Sequence, residues 1–366
     1  MPLPTTPRLL LGPGPSPVSA RVMAALGAPP RSHLDPDLVG LLDEIRASLR
    51  RVFRASDDSE TLAISGTGTS GMEAVVANLT KPGHRALVVV TGYFGDRLAG
   101  IFARYGAEVD RVEGEWGRAI APAKVQAALA AGRYDLVGIV HAETSTGVCN
   151  PVAEIATLAR QHDALIVVDA VTSLGAMPLE VGAWGIDACY SCSQKGLGAP
   201  AGMSPVVFSP RALARRVECR SFYLDLNLLL DFWVRRKYHH TISAPMVYAL
   251  AEALAEVEAE GLESRWARHE QVHRAFVDAM ATLDLTLLPP PAERLWSLNT
   301  VRVPEGVNDA TVRKYLLERE NIEIGAGLGP LAGKVFRVGL MGSGATIDNV
   351  NRLSSALGAA LKESRG

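Results

Sequence analysis

Cysteine, excess charge and long apolar stretches are all scarce in this sequence of 366 residues. Its four cysteines are too few for a disulfide scaffold, so we expect a reducing compartment. The 37 lysines and arginines nearly balance the 39 aspartates and glutamates, and there is no long basic block, which argues against nucleic acid as the main partner. No uncharged apolar run approaches the roughly 18 residues of a membrane span. Leu9-Leu10-Leu11 is too short for the core of a signal peptide, and we predict a cytoplasmic protein without a membrane partner.

Short apolar runs alternate with helical patterns through the first 260 residues. Runs such as Leu165-Ile166-Val167-Val168 are continuously apolar, as in strands that are covered on both faces. This succession predicts βαβ units around a mostly parallel sheet. The predicted strands are Thr61–Ser65, Ala86–Thr91, Leu136–His141, Ala164–Asp169, Asp187–Cys192 and Pro205–Phe208. The predicted helices between them are Gly71–Asn78, Gly95–Tyr105, Pro122–Ala131 and Pro151–His162.

The pattern changes near residue 260. The later helical patterns are Pro245–Glu260, Trp266–Met280, Asn308–Glu320 and Ala345–Lys362. The later strand-like runs are Leu283–Leu288, Trp296–Val303 and Lys334–Leu340. We therefore predict a large α/β domain at residues 16–260 and a smaller α+β domain at 261–366. The proline-rich residues 1–15 cannot form a helix and are predicted to be an extended arm.

A glycine-rich turn follows the first predicted strand and opens a helix. Gly66-Thr67-Gly68-Thr69-Ser70-Gly71 matches the dinucleotide pattern G-x-G-x-x-G. That interpretation also needs a carboxylate at the end of the next strand, and Val90-Thr91-Gly92-Tyr93-Phe94 has none. Backbone N–H groups at a helix N-terminus bind phosphate whatever the rest of the ligand is. The hydroxyls of Thr67 and Thr69 favour a terminal phosphate monoester, and a plain structural turn is the alternative.

Two further residues lie where predicted parallel strands end. Asp169 closes the run Leu165–Val168, so its carboxylate emerges at the edge where α/β sheets bind ligands, with a helix N-cap as the alternative. Lys195 follows another strand in a loop of small residues. Partial desolvation there would lower the pKa of the lysine and make its amine nucleophilic, although an isolated loop lysine is usually just solvated.

Arg337 interrupts the otherwise apolar strand Lys334–Leu340. A guanidinium in that setting needs an anionic partner, and a fixed salt bridge or a substrate carboxylate could each serve. Together, a phosphate cradle, a carboxylate, a nucleophilic lysine and an arginine are the parts that run pyridoxal 5′-phosphate (PLP) on an amino acid. The carboxylate would keep the pyridine nitrogen protonated, so that the ring accepts electrons, and the lysine would hold the cofactor and move the α-proton.

Short motifs occur in order through nearly the whole chain: Leu11-Gly12-Pro13-Gly14-Pro15, Ser65-Gly66-Thr67-Gly68, His141-Ala142-Glu143-Thr144-Ser145-Thr146-Gly147, Val168-Asp169, Ser193-Gln194-Lys195, Tyr238-His239-His240-Thr241 and Gly327-Leu328-Gly329-Pro330. With these motifs the chain resembles the class V PLP-dependent aminotransferases, in particular the alanine–glyoxylate / serine–pyruvate branch. The resemblance implies an α/β protein with the aspartate-aminotransferase-like fold, with a mostly parallel mixed sheet in the large domain. It also implies ping-pong transfer of an amino group from alanine or serine to glyoxylate or pyruvate.

Carried over position by position, the resemblance implies a role for each motif residue. Lys195 would form the Schiff base with PLP, and Asp169 would be the partner of the pyridine nitrogen. Phe94 would stack on the ring, and Thr144 would lie beside its hydroxyl edge. Phe94 stands where the family often has Trp.

The resemblance also implies how the phosphate and the substrate are held. The phosphate would be bound by Thr67, Gly68, Thr69 and Gln194, where Thr69 replaces a residue that can be His. Tyr238 and Thr241 would reach in from the second subunit of a homodimer. Arg337 would bind the substrate carboxylate, and Gly14 of the arm would line the pocket.

Other motifs have plainer interpretations. Cys189 and Cys192 have C-x-x-C spacing, but there is no second pair of ligands, and we interpret them as small core residues. His269 and His273 stand four apart without a third ligand, so we predict a solvated helix face and no metal site. The pair His239-His240 is interpreted as support for the dimer contact.

Sister enzymes and other classes remain as alternatives. Cysteine desulfurases carry a His before the lysine and a nucleophilic Cys late in the chain, whereas here Gln194 precedes Lys195 and no Cys follows Cys219. Another class V enzyme that acts on a different small amino donor remains an alternative. A nucleotide-dependent oxidoreductase would use the Gly66–Gly71 turn, and a binding protein would keep the fold without catalysis.

Overall fold

The computed structural model describes residues 6–365 and shows an α/β protein. The strands are β1 (Leu9–Leu10), β2 (Glu60–Gly66), β3 (Arg85–Val90), β4 (Glu108–Glu113), β5 (Leu136–Val140), β6 (Ala142–Glu143), β7 (Val148–Cys149), β8 (Leu165–Asp169), β9 (Ala188–Tyr190), β10 (Gly202–Phe208), β11 (Leu298–Arg302), β12 (Ile322–Glu323), β13 (Gly325–Ala326) and β14 (Val335–Gly339). The helices are α1 (Ala20–Leu26), α2 (Pro36–Val52), α3 (Gly68–Leu79), α4 (Tyr93–Arg104), α5 (Pro122–Ala131), α6 (Val152–Gln161), α7 (Pro210–Ala214), α8 (Leu226–Trp233), α9 (Ala244–Glu260), α10 (Leu262–Thr282), α11 (Asp309–Arg319) and α12 (Ile347–Arg365). None of the described helices combines the length and apolarity that a membrane span requires.

The main sheet has seven strands in the order β2-β10-β9-β8-β5-β3-β4. Strand β10 runs antiparallel to both of its neighbours, and the other strands all point the same way. The loops after β2, β3, β5, β8 and β9 therefore leave from one edge, which is where open α/β sheets bind ligands. The mostly parallel mixed sheet that we predict is confirmed.

The main core lies between this sheet and the helices on its faces. Every residue of β5 and β8 is buried, which explains why neither strand alternates between apolar and polar residues. Gly138 on β5 lets α4 approach closely, since a Cβ there would come within 2.9 Å of the Phe102 ring. Burial of a side chain such as Phe102 contributes about 2–3 kcal/mol.

A second core lies under the antiparallel sheet β11-β14-β13. It contains Phe276 of α10, Phe336 of β14 and Leu353 of α12, together with Leu11 from the N-terminal arm. Strand β1 of the arm pairs in parallel with β12, so the arm is attached to this part of the molecule. Helix α10 begins beside the main core and ends in the second one. The domain boundaries after residues 15 and 260 remain predictions, and residues 1–5 of the arm lie outside the described residues.

Two local predictions are wrong. Residues Leu283–Leu288 form no strand, and only Leu287 makes an isolated bridge, to Val301. His269 and His273 do not face solvent: they are 0 % and 7 % exposed. Both histidines lie on the side of α10 that packs against the rest of the protein, whereas Ala267, Gln271 and Arg274 lie on its exposed side. His269 Nδ1 lies 2.7 Å from the carbonyl oxygen of Arg265, and His273 Nδ1 lies 2.7 Å from the side-chain oxygen of Asn299.

Candidate active site

A cavity of about 260 Å³ opens at the carboxyl edge of the main sheet. The residues that line it come from the arm, from the starts of α3 and α4, from the ends of β5 and β8, from the loops after β6, β8, β9 and β13, and from β14. The predicted site residues among them are Gly14, Thr67, Gly68, Thr69, Phe94, Thr144, Asp169, Gln194, Lys195 and Arg337. The fold therefore brings together residues from both ends of the chain.

Lys195 lies in the loop between β9 and β10 and is only 7 % exposed. Its Nζ donates to Oγ1 of Thr172 at 2.8 Å and to Oγ1 of Thr144 at 3.1 Å. Burial lowers the pKa of Lys195, because desolvation disfavours the ammonium form. An amine that gives up its proton more readily can act as a nucleophile or as a base. Lys195 is therefore not a solvated loop lysine.

Asp169 ends β8 and is buried. Its Oδ1 accepts the backbone N–H of Val171 at 2.8 Å, and the following residues form turns rather than an α-helix. The helix N-cap alternative therefore does not apply. Burial raises the pKa of Asp169 to about 6, an effect that the Val171 N–H and the charge of Lys195 oppose. A positive group in the cavity would favour the ionised carboxylate further.

The turn between β2 and α3 presents polar groups that the described residues leave without partners. Thr67, the N-cap of α3, makes no side-chain hydrogen bond to the helix. Gly68 fits closely under the loop after β8, where a Cβ would come within 2.8 Å of Val171 Cγ2. The side-chain oxygen of Gln194 is also buried without a hydrogen-bond partner. A helix N-terminus with free donors is suited to an anion.

Arg337 lies in the middle of β14 and is 7 % exposed. Its Nε donates to the carbonyl oxygen of Ala326 at 2.6 Å, and Nη1 lies 3.4 Å from that of Thr144. Among residues 6–365, no carboxylate forms an ion pair with it, so the fixed salt bridge is absent. Burial lowers the pKa of Arg337 to about 10, and the charge of Glu143 opposes this shift. The free guanidinium donors are available to an anionic ligand.

Two elements close the cavity around Lys195. The backbone of Gly14 approaches it so closely that a Cβ would lie 3.1 Å from Lys195 Cε, and its φ of +113° also favours glycine. The ring of Phe94 lies on another side, with its centroid 5.7 Å from Lys195 Nζ. An aromatic ring at this distance can cover one face of a flat ligand that Lys195 holds.

Comparisons with known proteins agree with this geometry. The family model "Aminotransferase class-V" matches residues 22–353. The chain is 37 % identical to alanine–glyoxylate aminotransferase of Drosophila melanogaster, and the match covers 100 % of this chain and 95 % of the relative. The crystal structure of alanine–glyoxylate aminotransferase from Nostoc sp. superposes with a TM-score of 0.96 at 43 % identity, over 99 % of this chain and 97 % of that one. The chain belongs to the class V aminotransferases.

A further relative of this aminotransferase carries a different donor in its name. It is the (S)-ureidoglycine–glyoxylate transaminase of Bacillus subtilis, which is 34 % identical over 97 % of this chain and 90 % of its own length. The predicted fold class and family are confirmed by these comparisons, and the dinucleotide interpretation of the Gly66–Gly71 turn is set aside.

PLP is the cofactor of the class V aminotransferases, and the cavity fits it. The uncapped start of α3 and the side chain of Gln194, whose amide N–H groups can donate to an anion, line the cavity together with the carboxylate of Asp169. When bound, PLP supplies a ring that accepts electrons from the α-carbon of an amino acid. Lys195 is the buried amine that can move a proton there.

Three residues at the site carry no role predicted from the sequence: Thr172, Glu143 and Arg97. Thr172 accepts a hydrogen bond from Lys195 Nζ and lies 2.5 Å from the hydroxyl of Thr144. Buried Glu143 accepts N–H groups at the start of α4, including that of Gly95 at 3.1 Å, and so holds the turn that carries Phe94. Arg97 lines the cavity one helical turn after Phe94. Glu143 lies in a quoted motif, but nothing local indicates the contacts of Thr172 or Arg97.

Tyr238 and Thr241 lie outside the cavity, on the surface of the single chain. Tyr238 is 65 % exposed, and its ring packs against His33 with centroids 5.2 Å apart. Between them, His240 Nε2 lies 3.0 Å from the hydroxyl of Ser65, next to the turn that opens α3. The role that the resemblance implies for these two residues requires a second copy of the chain and stays a prediction.

Proposed function

We propose that this aminotransferase moves the amino group of a small amino acid, alanine or serine, to a 2-oxo acid, glyoxylate or pyruvate. One observation carries the proposal: the free guanidinium donors of Arg337 and the amine of Lys195 line the same small cavity. Arg337 offers a fork for one substrate carboxylate, since bidentate pairing with a carboxylate suits its geometry. Lys195 then has access to the carbon beside that carboxylate.

The size of the cavity supports a small substrate. A Cβ at Gly14 would lie only 3.1 Å from Lys195 Cε, and Leu328 lines the same space. The names of the relatives support glyoxylate as acceptor, with alanine or ureidoglycine as donors. A methylene or hydroxyl on the donor changes the free energy of discrimination by only about 1–3 kcal/mol. A different small donor is therefore the alternative.

We propose these roles for the residues of the site. Asp169 pairs with the ring nitrogen of PLP and keeps it protonated, and Phe94 stacks on the ring. Thr144 lies at the hydroxyl edge and Gly14 lines the substrate side. Lys195 holds the cofactor and moves the proton. The phosphate is bound by Thr67, Gly68, Thr69 and Gln194.

A half-reaction screen tests the function. The PLP-loaded enzyme is mixed with one amino acid at a time, without a 2-oxo acid, and the absorbance of the cofactor is followed. We expect alanine or serine to convert the cofactor and glyoxylate or pyruvate to restore it. Arg337→Lys is the matched control, since it keeps the charge but loses the fork. Conversion by dicarboxylic amino acids alone, or by ureidoglycine alone, would contradict the proposed donor.

We further propose a homodimer with shared active sites. A phosphate that carries nearly two negative charges needs more donors than the start of α3 and Gln194 provide. The exposed hydroxyls of Tyr238 and Thr241 are available to a neighbouring subunit. Tyr238→Phe combined with Thr241→Val should therefore loosen PLP in the partner's site and leave the mutated subunit's own site intact.

Mixed dimers test this arrangement. Lys195→Ala subunits are combined with subunits that carry both Tyr238→Phe and Thr241→Val. If sites are shared, one site of each mixed dimer has both defects and the other has neither, so about half of the wild-type activity per dimer returns. If each site lies within one chain, every site carries one defect and no activity returns. The cytoplasmic location remains a prediction, which fractionation of cells that express the protein would test.

A further inference from the structure

Arg97 is a cavity residue that neither the motifs nor the proposed roles account for. It is half-buried on the first turns of α4, and its Nη1 donates to the hydroxyl of Thr69 at 3.1 Å. The guanidinium also lies over the ring of Phe94, 5.0 Å from the centroid, and over that of Tyr93 at 5.2 Å. Within the described part of the chain it forms no ion pair, since its neighbour Asp96 pairs with Arg111 at 2.6 Å.

The positions of the other cations in the cavity make Arg97 distinctive. Lys195 donates to Thr172 and Thr144, and Arg337 donates to the carbonyl oxygen of Ala326, so neither contacts the turn at Thr67–Thr69. The phosphate cradle at Thr67–Thr69 contains only uncharged side chains and backbone N–H groups. Arg97 is therefore the cation that stands beside the cradle, one hydrogen bond from Thr69.

We propose that Arg97 binds the phosphate of PLP and supplies the positive charge that the cradle lacks. The phosphate group carries about −1.5 to −2 charges near pH 7, which neutral donors compensate only in part. Charge-assisted hydrogen bonds are roughly twice as strong as neutral ones, and a guanidinium presents two parallel N–H groups to phosphate oxygens. Nη1 already reaches a residue of the cradle, so the other donors need no large movement to reach an anion there.

The stacking of Arg97 on Phe94 gives a competing explanation. A cation over an aromatic face can simply hold the ring in place, and such a contact contributes to order without touching the phosphate. The two roles differ in their dependence on the phosphate group. Loss of a phosphate contact weakens binding of PLP but not of pyridoxal, whereas loss of ring positioning weakens both.

Binding measurements on the cofactor-free protein test the proposal. Arg97→Gln removes the charge, Arg97→Lys keeps it, and Arg104→Gln removes an exposed arginine at the end of the same helix as a matched control. Equilibrium dialysis gives the dissociation constants of PLP and pyridoxal for each variant. Thermal unfolding with increasing inorganic phosphate measures anion binding without any cofactor.

Arg97→Gln should weaken PLP binding about 10- to 100-fold, as expected for one charged hydrogen bond, and change pyridoxal binding less than about twofold. It should also abolish the stabilisation by inorganic phosphate. Arg97→Lys should retain part of both effects, and Arg104→Gln should behave as the wild type. Equal losses for PLP and pyridoxal, or unchanged stabilisation by phosphate, would overturn the proposal.

The inference about Arg97 rests on the proposed phosphate cradle, and one more variant tests the cradle separately from Arg97. Thr67→Val removes a cradle hydroxyl without affecting Arg97. If it weakens PLP while Arg97→Gln does not, the cradle is right and the inference about Arg97 is wrong. If Thr67→Val leaves PLP binding unchanged, the cradle itself is wrong. Should Arg97→Gln fail to fold, Arg97→Lys still decides, because loss of the fork must then raise the dissociation constant of PLP but not of pyridoxal.

Discussion

Arg265 and Arg337 are both buried, at 5 % and 7 % exposure, but their guanidinium groups are satisfied in opposite ways. Arg265 uses all three nitrogens: Nη1 pairs with Glu260 at 2.6 Å, and Nε and Nη2 donate to the carbonyl oxygens of Gly175 and Gly196 at 2.9 and 2.8 Å. Arg337 has carbonyl oxygens only, without a carboxylate among the described residues. Burial lowers the pKa of both, and Glu260 opposes the shift at Arg265.

The difference indicates that the two buried arginines have different roles, one in the stability of the fold and one in ligand binding. Arg265 holds Gly196, the residue after Lys195, and Arg268 binds the same Glu260 while it donates to the carbonyl oxygen of Gly342. This cluster connects the loop of Lys195 to the C-terminal part of the chain, and every guanidinium nitrogen of Arg265 and Arg268 has a partner in it. Arg337 keeps free donors in a cavity, at a cost in folding free energy that the rest of the fold must offset. Such an arginine is suited to a ligand.

The largest expected effect comes from the cavity. Lys195→Ala should abolish turnover and leave the protein folded and able to bind PLP non-covalently. Proton transfer alone is worth about 10²- to 10⁴-fold, and the covalent attachment is lost as well. Turnover, thermal unfolding and borohydride labelling of the PLP-loaded protein check this. Near-normal turnover, or a label on a peptide without Lys195, would contradict the assignment.

Arg337→Ala is expected to affect function more than stability. The kcat/KM for alanine and serine should fall by an amount equivalent to about 2–5 kcal/mol, because a desolvated charge pair with the substrate is lost. The free energy of unfolding without substrate should fall by no more than about 1.5 kcal/mol, since no ion pair is broken and only the contacts with the carbonyl oxygens of Ala326 and Thr144 are lost. Steady-state kinetics and denaturant unfolding measure the two quantities. Unchanged kinetics in a destabilised protein would make Arg337 a structural residue like Arg265.

Arg265→Leu should show the reverse pattern. We expect the free energy of unfolding to fall by about 3 kcal/mol, because two buried carbonyl oxygens and Glu260 lose a partner. Arg274→Leu is the control on the same helix, where an exposed pair with Glu270 should contribute less than about 1 kcal/mol. Urea unfolding of the cofactor-free protein measures both. Equal effects of the two substitutions would show that the buried cluster is not structural.

The two regions should also differ in pH dependence. Burial lowers the pKa of His269, beside Arg265, from 6.5 to about 3, so the unfolded state binds a proton more readily. The contribution of neutral His269 to the free energy of unfolding is present above pH 6.5 and is lost as the pH falls toward 3. Asp169 in the cavity has the opposite shift, from 3.8 to about 6, so the stability of the cofactor-free protein falls as the pH rises through that range.

Two substitutions separate these contributions. His269→Gln should make the free energy of unfolding depend less steeply on pH below about pH 6.5. Asp169→Asn should remove the decrease in the free energy of unfolding that occurs as the pH rises from 3.8 to about 6. Each group changes the slope by up to about 1.4 kcal/mol per pH unit. Denaturant unfolding at a series of pH values measures both. If neither substitution alters the profile, the pKa shifts of these two residues do not govern acid stability.

Local patterns predict the buried strands of the main sheet better than its exposed edge. The predicted strands at residues 61–65, 86–91, 136–141 and 164–169 agree with β2, β3, β5 and β8 within a few residues, because buried strands are continuously apolar. Strand β4 was not predicted, since it lies at the sheet edge and is mostly exposed and charged. Leu283–Leu288 has the composition of a strand but lacks a neighbour to pair with along its length. Pairing is a tertiary property that no single segment encodes.

The sequence by itself determined the chemistry of this protein: a glycine-rich turn before a helix, a carboxylate at a strand end and a lysine in a loop of small residues are local signals. The tertiary structure decided which charges have partners. Arg265 finds Gly175 at a separation of 90 residues, and Arg337 meets Thr144 at a separation of 193 and finds no acid among the described residues. Arg97 contacts Thr69 of the glycine-rich turn for the same reason. The partners of a buried charge come from distant segments, so its role is settled only when the chain is folded.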